Sequence, residues 1–126
     1  MPAYNGIGWF EIGTDDPAAA EQFYGDVFGW TVSADDTPGT TPTYKFITTG
    51  DADGLRGGLF ATERKMPSYA VFTVLVEDVE ATCRQAEEAG GKIQRAPSVN
   101  ETGVRFAHLL DPAGNHFEVF TPPARL

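Results

Sequence analysis

Two histidines and a glutamate, His108, His116 and Glu118, stand within an eleven-residue stretch near the C-terminal end of the chain. Asp111-Pro112-Ala113-Gly114-Asn115 lies between the histidines. That is turn chemistry, because Pro presets φ and Gly or Asn accepts left-handed backbone. A hairpin folded about this turn sets Leu110 opposite His116, His108 opposite Glu118 and Phe106 opposite Phe120. Side chains alternate along a strand, so all six share one face. Opposed Cβ atoms sit roughly 4.5–5.5 Å apart, close enough for a His–Glu hydrogen bond. Three readings of His108 and Glu118 follow. The carboxylate can stabilise an imidazolium and orient one ring nitrogen, leaving the other to donate or accept a proton. Two histidines and a carboxylate also form a set used by non-haem iron. The third reading is a satisfied cross-strand pair with no chemistry. His116, beside the turn, is expected at the rim of any cavity.

A second pair of candidates comes early. Ile7-Gly8-Trp9-Phe10-Glu11-Ile12 alternates as a strand, with Ile7, Trp9 and Glu11 on one face and Phe10 and Ile12 on the other. Trp9 can stack on a flat or cationic ligand with Glu11 as counter-charge, or simply fill space. A carboxylate at Glu11 needs solvent, a basic group or a ligand.

The elements that must hold these residues come in two similar halves. Asp16 caps a helix that Pro17 opens. Ala20, Phe23, Tyr24, Val27 and Phe28 give it an apolar stripe, and Gly29 stops it. Strands follow at 30–33, 44–48 and 55–61, separated by a Pro/Thr/Gly loop at 34–43 and an Asp/Gly turn at 50–54. The second half begins with a strand at 69–76, whose Tyr69, Val71 and Thr73 should line the matching face. Asp78 caps the next helix, striped by Val79, Cys83 and Ala86 and ended by Gly90-Gly91. Strands at 92–94, 104–110 and 116–120 complete it. The two caps are 62 residues apart, as are Gly29 and Gly91. A βαβββ unit used twice is the simplest architecture, an α+β fold in curved mixed sheets with a face of each left to line a cavity. The expected organisation is a single domain over 1–126, with module one at about 5–62 and module two at about 68–122.

Composition bounds the rest. The 126 residues suit one domain, and 41% are hydrophobic. Eighteen acidic residues against nine basic ones leave a net charge of −9. A field of that sign argues against nucleic acid or anionic membrane as partner and is compatible with a cationic guest. The single Cys83 excludes an intrachain disulfide and reads as a small buried thiol rather than a nucleophile. Gly57-Gly58 is followed by neither a helix nor Lys, so it is not a phosphate loop. With no apolar span or signal core in the sequence, a cytoplasmic location is the default expectation.

Trp9-Phe10-Glu11-Ile12, Asp16, Phe23-Tyr24 and Phe28-Gly29-Trp30 resemble the first module of the vicinal oxygen chelate (VOC) superfamily. Glu77-Asp78-Val79, Gly90-Gly91 and the 111–115 turn resemble its second module. That superfamily includes glyoxalase I, extradiol dioxygenases, methylmalonyl-CoA epimerase and bleomycin resistance proteins. The resemblance implies four metal-ligand positions, two per module, and they fall here on Trp9, Val71, the strand around Gly57 to Phe60, and Glu118. Only Glu118 is a donor, so no metal and no cofactor is expected, with a divalent ion at a non-standard site as the lesser alternative. The resemblance also implies a cavity-facing acid/base residue about ten positions before the last glutamate, which is His108. Two functions remain open. One is a metal-independent protein that binds a small cationic or aromatic molecule, as bleomycin resistance proteins do, with Trp9, Glu11, Tyr69, Val71, Thr73, Phe106, His116 and Phe120 contacting it. The other is a glyoxalase-like lyase or isomerase using His108 and Glu118, or, with a metal, a lyase or dioxygenase. Relatives of this size imply a homodimer.

Overall fold

The computed structural model describes residues 3–34, 43–51, 53–100 and 102–123, which carry eight strands and two helices. Two compact units divide the chain: Trp9–Ala70, and Val71–Leu126 together with Met1–Gly8.

In the first unit the order is β1 (Ile7–Thr14), α1 (Pro17–Phe28), β2 (Thr31–Ala34), β3 (Tyr44–Thr48) and β4 (Gly57–Ala61). The ladder runs β2-β3-β4-β1, with β4 parallel to β1 and the other pairs antiparallel. Helix α1 starts where its signals place it. Asp16 Oδ1 accepts from the Ala19 amide at 3.1 Å, Pro17 is the first helical residue, and Gly29 ends the helix at φ 74°. A left-handed stop of that kind favours glycine, which has no Cβ to clash. Ile12, Ile47 and Leu59 form the core, with Phe10, Ala20, Tyr24, Trp30 and Val32 packed on it.

Three expectations change here. The apolar stripe of α1 is only partly a core face: Ala20 and Tyr24 pack inward, whereas Phe23, Val27 and Phe28 are 57%, 54% and 57% exposed. Ala20 and Tyr24 lie four apart on one line of the helix, and Phe23 and Val27 lie on the next line round, turned away from the sheet. Trp30 leaves the strand and joins the core, its ring stacked on Tyr24 at 5.2 Å. The strand expected from Leu55 begins only at Gly57, after the Asp51–Gly54 turn. Most of the 34–43 loop lies outside the described residues, as does residue 52 of the turn.

The second unit contains β5 (Tyr69–Leu75) from Val71 onward, α2 (Val79–Glu88), β6 (Lys92–Val99), β7 (Arg105–Leu110) and β8 (His116–Thr121), laddered β5-β8-β7-β6 with β5 parallel to β8. Asp78 Oδ1 caps α2 through the Ala81 amide at 3.0 Å. Val76, Val79, Cys83, Ala107, Leu109 and Val119 make a second core, in which Cys83 is 3% exposed. Strand β6 extends to Val99, well beyond Gln94, despite Pro97. It ends the ladder and its register against β7 shifts twice, which is where a strand tolerates proline.

Candidate functional site

The 111–115 turn closes through Asp111, whose Oδ1 accepts from the amides of Ala113 and Asn115 at 2.9 Å each. The bond from the Asn115 side chain first, and then these backbone amides, hold the Asp111 carboxyl below its ordinary pKa. A turn pinned this way leaves the hairpin one register. Leu110 faces His116, His108 faces Glu118, and Phe106 faces Phe120. On the other side of β8, Thr73 faces Glu118 and Leu75 faces Phe120.

That register builds a polar chain inside the second unit. His108 Nε2 lies 3.1 Å from Glu118 Oε2, and the two residues are 6% and 4% exposed. The buried Thr73 hydroxyl donates to Glu118 Oε1 at 3.5 Å. On its other side, His108 Nδ1 lies 2.7 Å from His116 Nε2, with ring centroids 4.9 Å apart. Both nitrogens of His108 are thus engaged, which revises the expectation that one is left over for chemistry. The next member of the chain is the half-buried His116. Its pKa is lowered, first by burial and then by repulsion from a charged His108, with the Glu118 carboxylate opposing both. Phe106 stands edge-on to His108 at 6.0 Å, under the Arg95 guanidinium at 5.1 Å. Phe120 is half-buried and Val71 is buried.

A second polar cluster lies in the first unit. The Trp9 indole N–H donates to Tyr44 Oη at 3.0 Å. Tyr44 donates to Glu11 Oε1 at 3.1 Å, and Tyr69 donates to Glu11 Oε2 at 2.5 Å. Among the partners of Glu11, therefore, are two phenols, a possibility outside solvent, base or ligand. Tyr69 falls in the first unit, with its ring over Gly13 and its hydroxyl on Glu11. Tyr44 is the functional candidate that sequence reasoning missed. Its parity on β3 with Phe46, together with a side-chain-free Gly58 on the next strand, was the available signal.

The four metal-ligand positions implied by the family resemblance do not fit a divalent ion. Trp9 uses its N–H as a donor, Val71 is a buried aliphatic, and Gly58 offers no ligand atom while the Tyr44 hydroxyl occupies the space above it. Glu118 alone supplies oxygen, and its two oxygens face His108 and Thr73.

Comparison with known proteins agrees with this architecture. The profile of the Glyoxalase/Bleomycin resistance protein/Dioxygenase superfamily matches residues 6–119. A glyoxylase-like domain-containing protein of Didymella fabae is 30% identical over 129 residues, covering 99% of this chain and 100% of that one. The anthracycline biosynthesis protein DnrV of Streptomyces peucetius is 30% identical over 129 residues, covering 89% of this chain and 45% of its own. A Mycobacterium bovis relative is 32% identical over 114 residues, covering 90% and 43%. The chain thus spans less than half the length of these last two relatives. Among solved structures, a single-residue variant of Streptomyces coelicolor methylmalonyl-CoA epimerase in complex with 2-nitronate-propionyl-CoA superposes with a TM-score of 0.64 at 18% identity, over 97% of each chain. The Mn(II)-bound glyoxalase of Novosphingobium aromaticivorans gives 0.60 at 21% identity, over 98% of this chain and 42% of that one. Likeness at these identities concerns the fold.

Proposed function

We propose, for a chain that belongs to the Glyoxalase/Bleomycin resistance protein/Dioxygenase superfamily, that it is a proton-transfer enzyme of the glyoxalase-like lyase or isomerase kind. The observation that carries this reading is the buried His108, held between Glu118 at 3.1 Å and His116 at 2.7 Å.

Proton bookkeeping gives that chain a direction. An ionised carboxylate only accepts, so a neutral His108 carries its hydrogen on Nε2, toward Glu118. Its Nδ1 is then a lone pair and takes the Nε2–H of His116. A proton arriving at His116 Nδ1 drives the Nε2 proton across the 2.7 Å bond to His108. The positive charge ends beside Glu118, where it is best stabilised. Run backwards, the same chain delivers a proton. Positioned acid–base groups of this sort contribute about 10²–10⁴-fold to rate.

The fitting substrates are small carbonyl compounds with an acidic C–H, the chemistry suggested by the epimerase and glyoxalase among the structural relatives. No metal or cofactor enters the scheme. Proteins that only bind their ligand form the second reading, favoured by the Trp9, Tyr44, Glu11 and Tyr69 cluster. We propose a small molecule as partner, not nucleic acid or membrane, and a cytoplasmic location. Among the described residues no helix is long and apolar enough to cross a membrane. Exposed Phe23, Val27 and Phe28 support a homodimer.

The test is solvent exchange. Incubated in D2O with propionyl and methylmalonyl thioesters and with thiol hemithioacetals, the protein should place deuterium at the carbon beside the carbonyl. His108→Asn should abolish this. Exchange that survives the substitution, or that the unaltered protein never shows, rejects the reading.

A further inference from the structure

We infer that Tyr44 is the positioning residue for ligand recognition in the first unit, and that position 58 is glycine because Tyr44 stands over it. This inference rests on the reading of Trp9 and Glu11 as ligand-contacting residues.

Strands β3, β4 and β1 bring Phe46, Gly58 and Glu11 into one row of the ladder. A row with glycine at its centre leaves a gap between the outer two side chains. Tyr44, opposite Phe60 in the neighbouring row, leans diagonally into that gap. A Cβ added to Gly58 would lie 2.6 Å from Tyr44 Cε1 and closer still to its hydroxyl oxygen, which no real structure tolerates. Gly13 treats Tyr69 alike, since a Cβ there would come within 2.6 Å of Tyr69 Cζ. Two glycines on this face thus admit two phenols that converge on one carboxylate.

Proton order within the cluster is forced. An indole N–H can only donate, and an ionised Glu11 can only accept. Tyr44 is the one member that does both: its oxygen receives the Trp9 proton at 3.0 Å and its own proton goes to Glu11 at 3.1 Å. The hydroxyl therefore sets the edge orientation of Trp9 and the rotamer of Glu11 together. Phe46 supports the arrangement edge-on, at 6.0 Å from Trp9 and 6.2 Å from Tyr44. A ligand recognised by aromatic surface and a carboxylate, the cationic or aromatic class, meets these groups only in the geometry that Tyr44 imposes.

The chain has two tryptophans, so its indole N–H region holds two signals, assignable through Trp30→Phe. Tyr44→Phe should move the Trp9 signal and leave that of Trp30 in place, and Gly58→Ala should do the same with Tyr44 intact. The double variant should be no further displaced than either single one. Titrated with phenyltrimethylammonium as a cationic aromatic probe, the unaltered protein should bind it, and Tyr44→Phe should weaken that binding about tenfold, as loss of one hydrogen bond to a charged group would. Movement of both indole signals in the single variants, an unmoved Trp9 signal in either, no binding of the probe to the unaltered protein, or an affinity that Tyr44→Phe leaves unchanged overturns the inference. The probe titration is independent of the exchange assay, so failure of the proton-transfer reading is seen separately.

Discussion

Removing His108 takes away the partner 3.1 Å from a carboxylate that is only 4% exposed. In His108→Ala, Glu118 keeps the Thr73 hydroxyl at 3.5 Å and loses its nearest cationic candidate. Leaving a buried carboxylate without its partner costs about 3–5 kcal/mol, the usual consequence of breaking a buried pair. The clean comparison is His108→Ala against His108→Ala/Glu118→Gln, since neither contains His108 and the second replaces the carboxylate by an amide of the same size. Urea denaturation of both at pH 7 should show the double variant more stable by about 3–5 kcal/mol. A gap below about 1 kcal/mol would refute the claim that His108 and Glu118 form a desolvated pair.

Other consequences follow from the same geometry. Burial and a charged His108 lower the pKa of His116, so the neutral His116 contributes stability present above its ordinary 6.5 and lost as pH falls below it. His116→Gln should flatten the stability curve between pH 6.5 and 5, and an unaltered slope would contradict the assignment. Burial first, then Glu80 and Glu87, push the Cys83 thiol up, so Ellman's reagent should react slowly in native buffer and promptly in urea. Rapid native reaction would contradict this. If the exposed α1 row covers a dimer interface, sedimentation at micromolar concentration should show a dimer that Val27→Lys dissociates. A monomeric unaltered protein would reject it.

The hairpin was legible because its turn residues and strand alternation leave one register, and the structure has His108 opposite Glu118 as the parity requires. Both helix starts were legible for a similar reason: Asp16 and Asp78 are local signals whose capping bonds span three residues. What escaped depended on neighbours far along the chain. Periodicity marks Phe23 and Val27 as apolar without saying how wide a face the sheet can cover. Tyr44 joins Glu11 across 33 residues, through a gap visible only once β4 lies between them. The 2.7 Å contact of the two histidines is diagonal, so direct pairing alone does not place it.

The nitrogen-15 spectrum of the imidazole rings tests the proton chain most directly, because the protein has two histidines and thus four ring nitrogens. With both rings neutral, the hydrogens should reside on Nε2 of His108, toward Glu118, and on Nε2 of His116, toward His108, leaving each Nδ1 unprotonated. A neutral His108 with its hydrogen on Nδ1 and an unprotonated Nε2 toward Glu118 would contradict this.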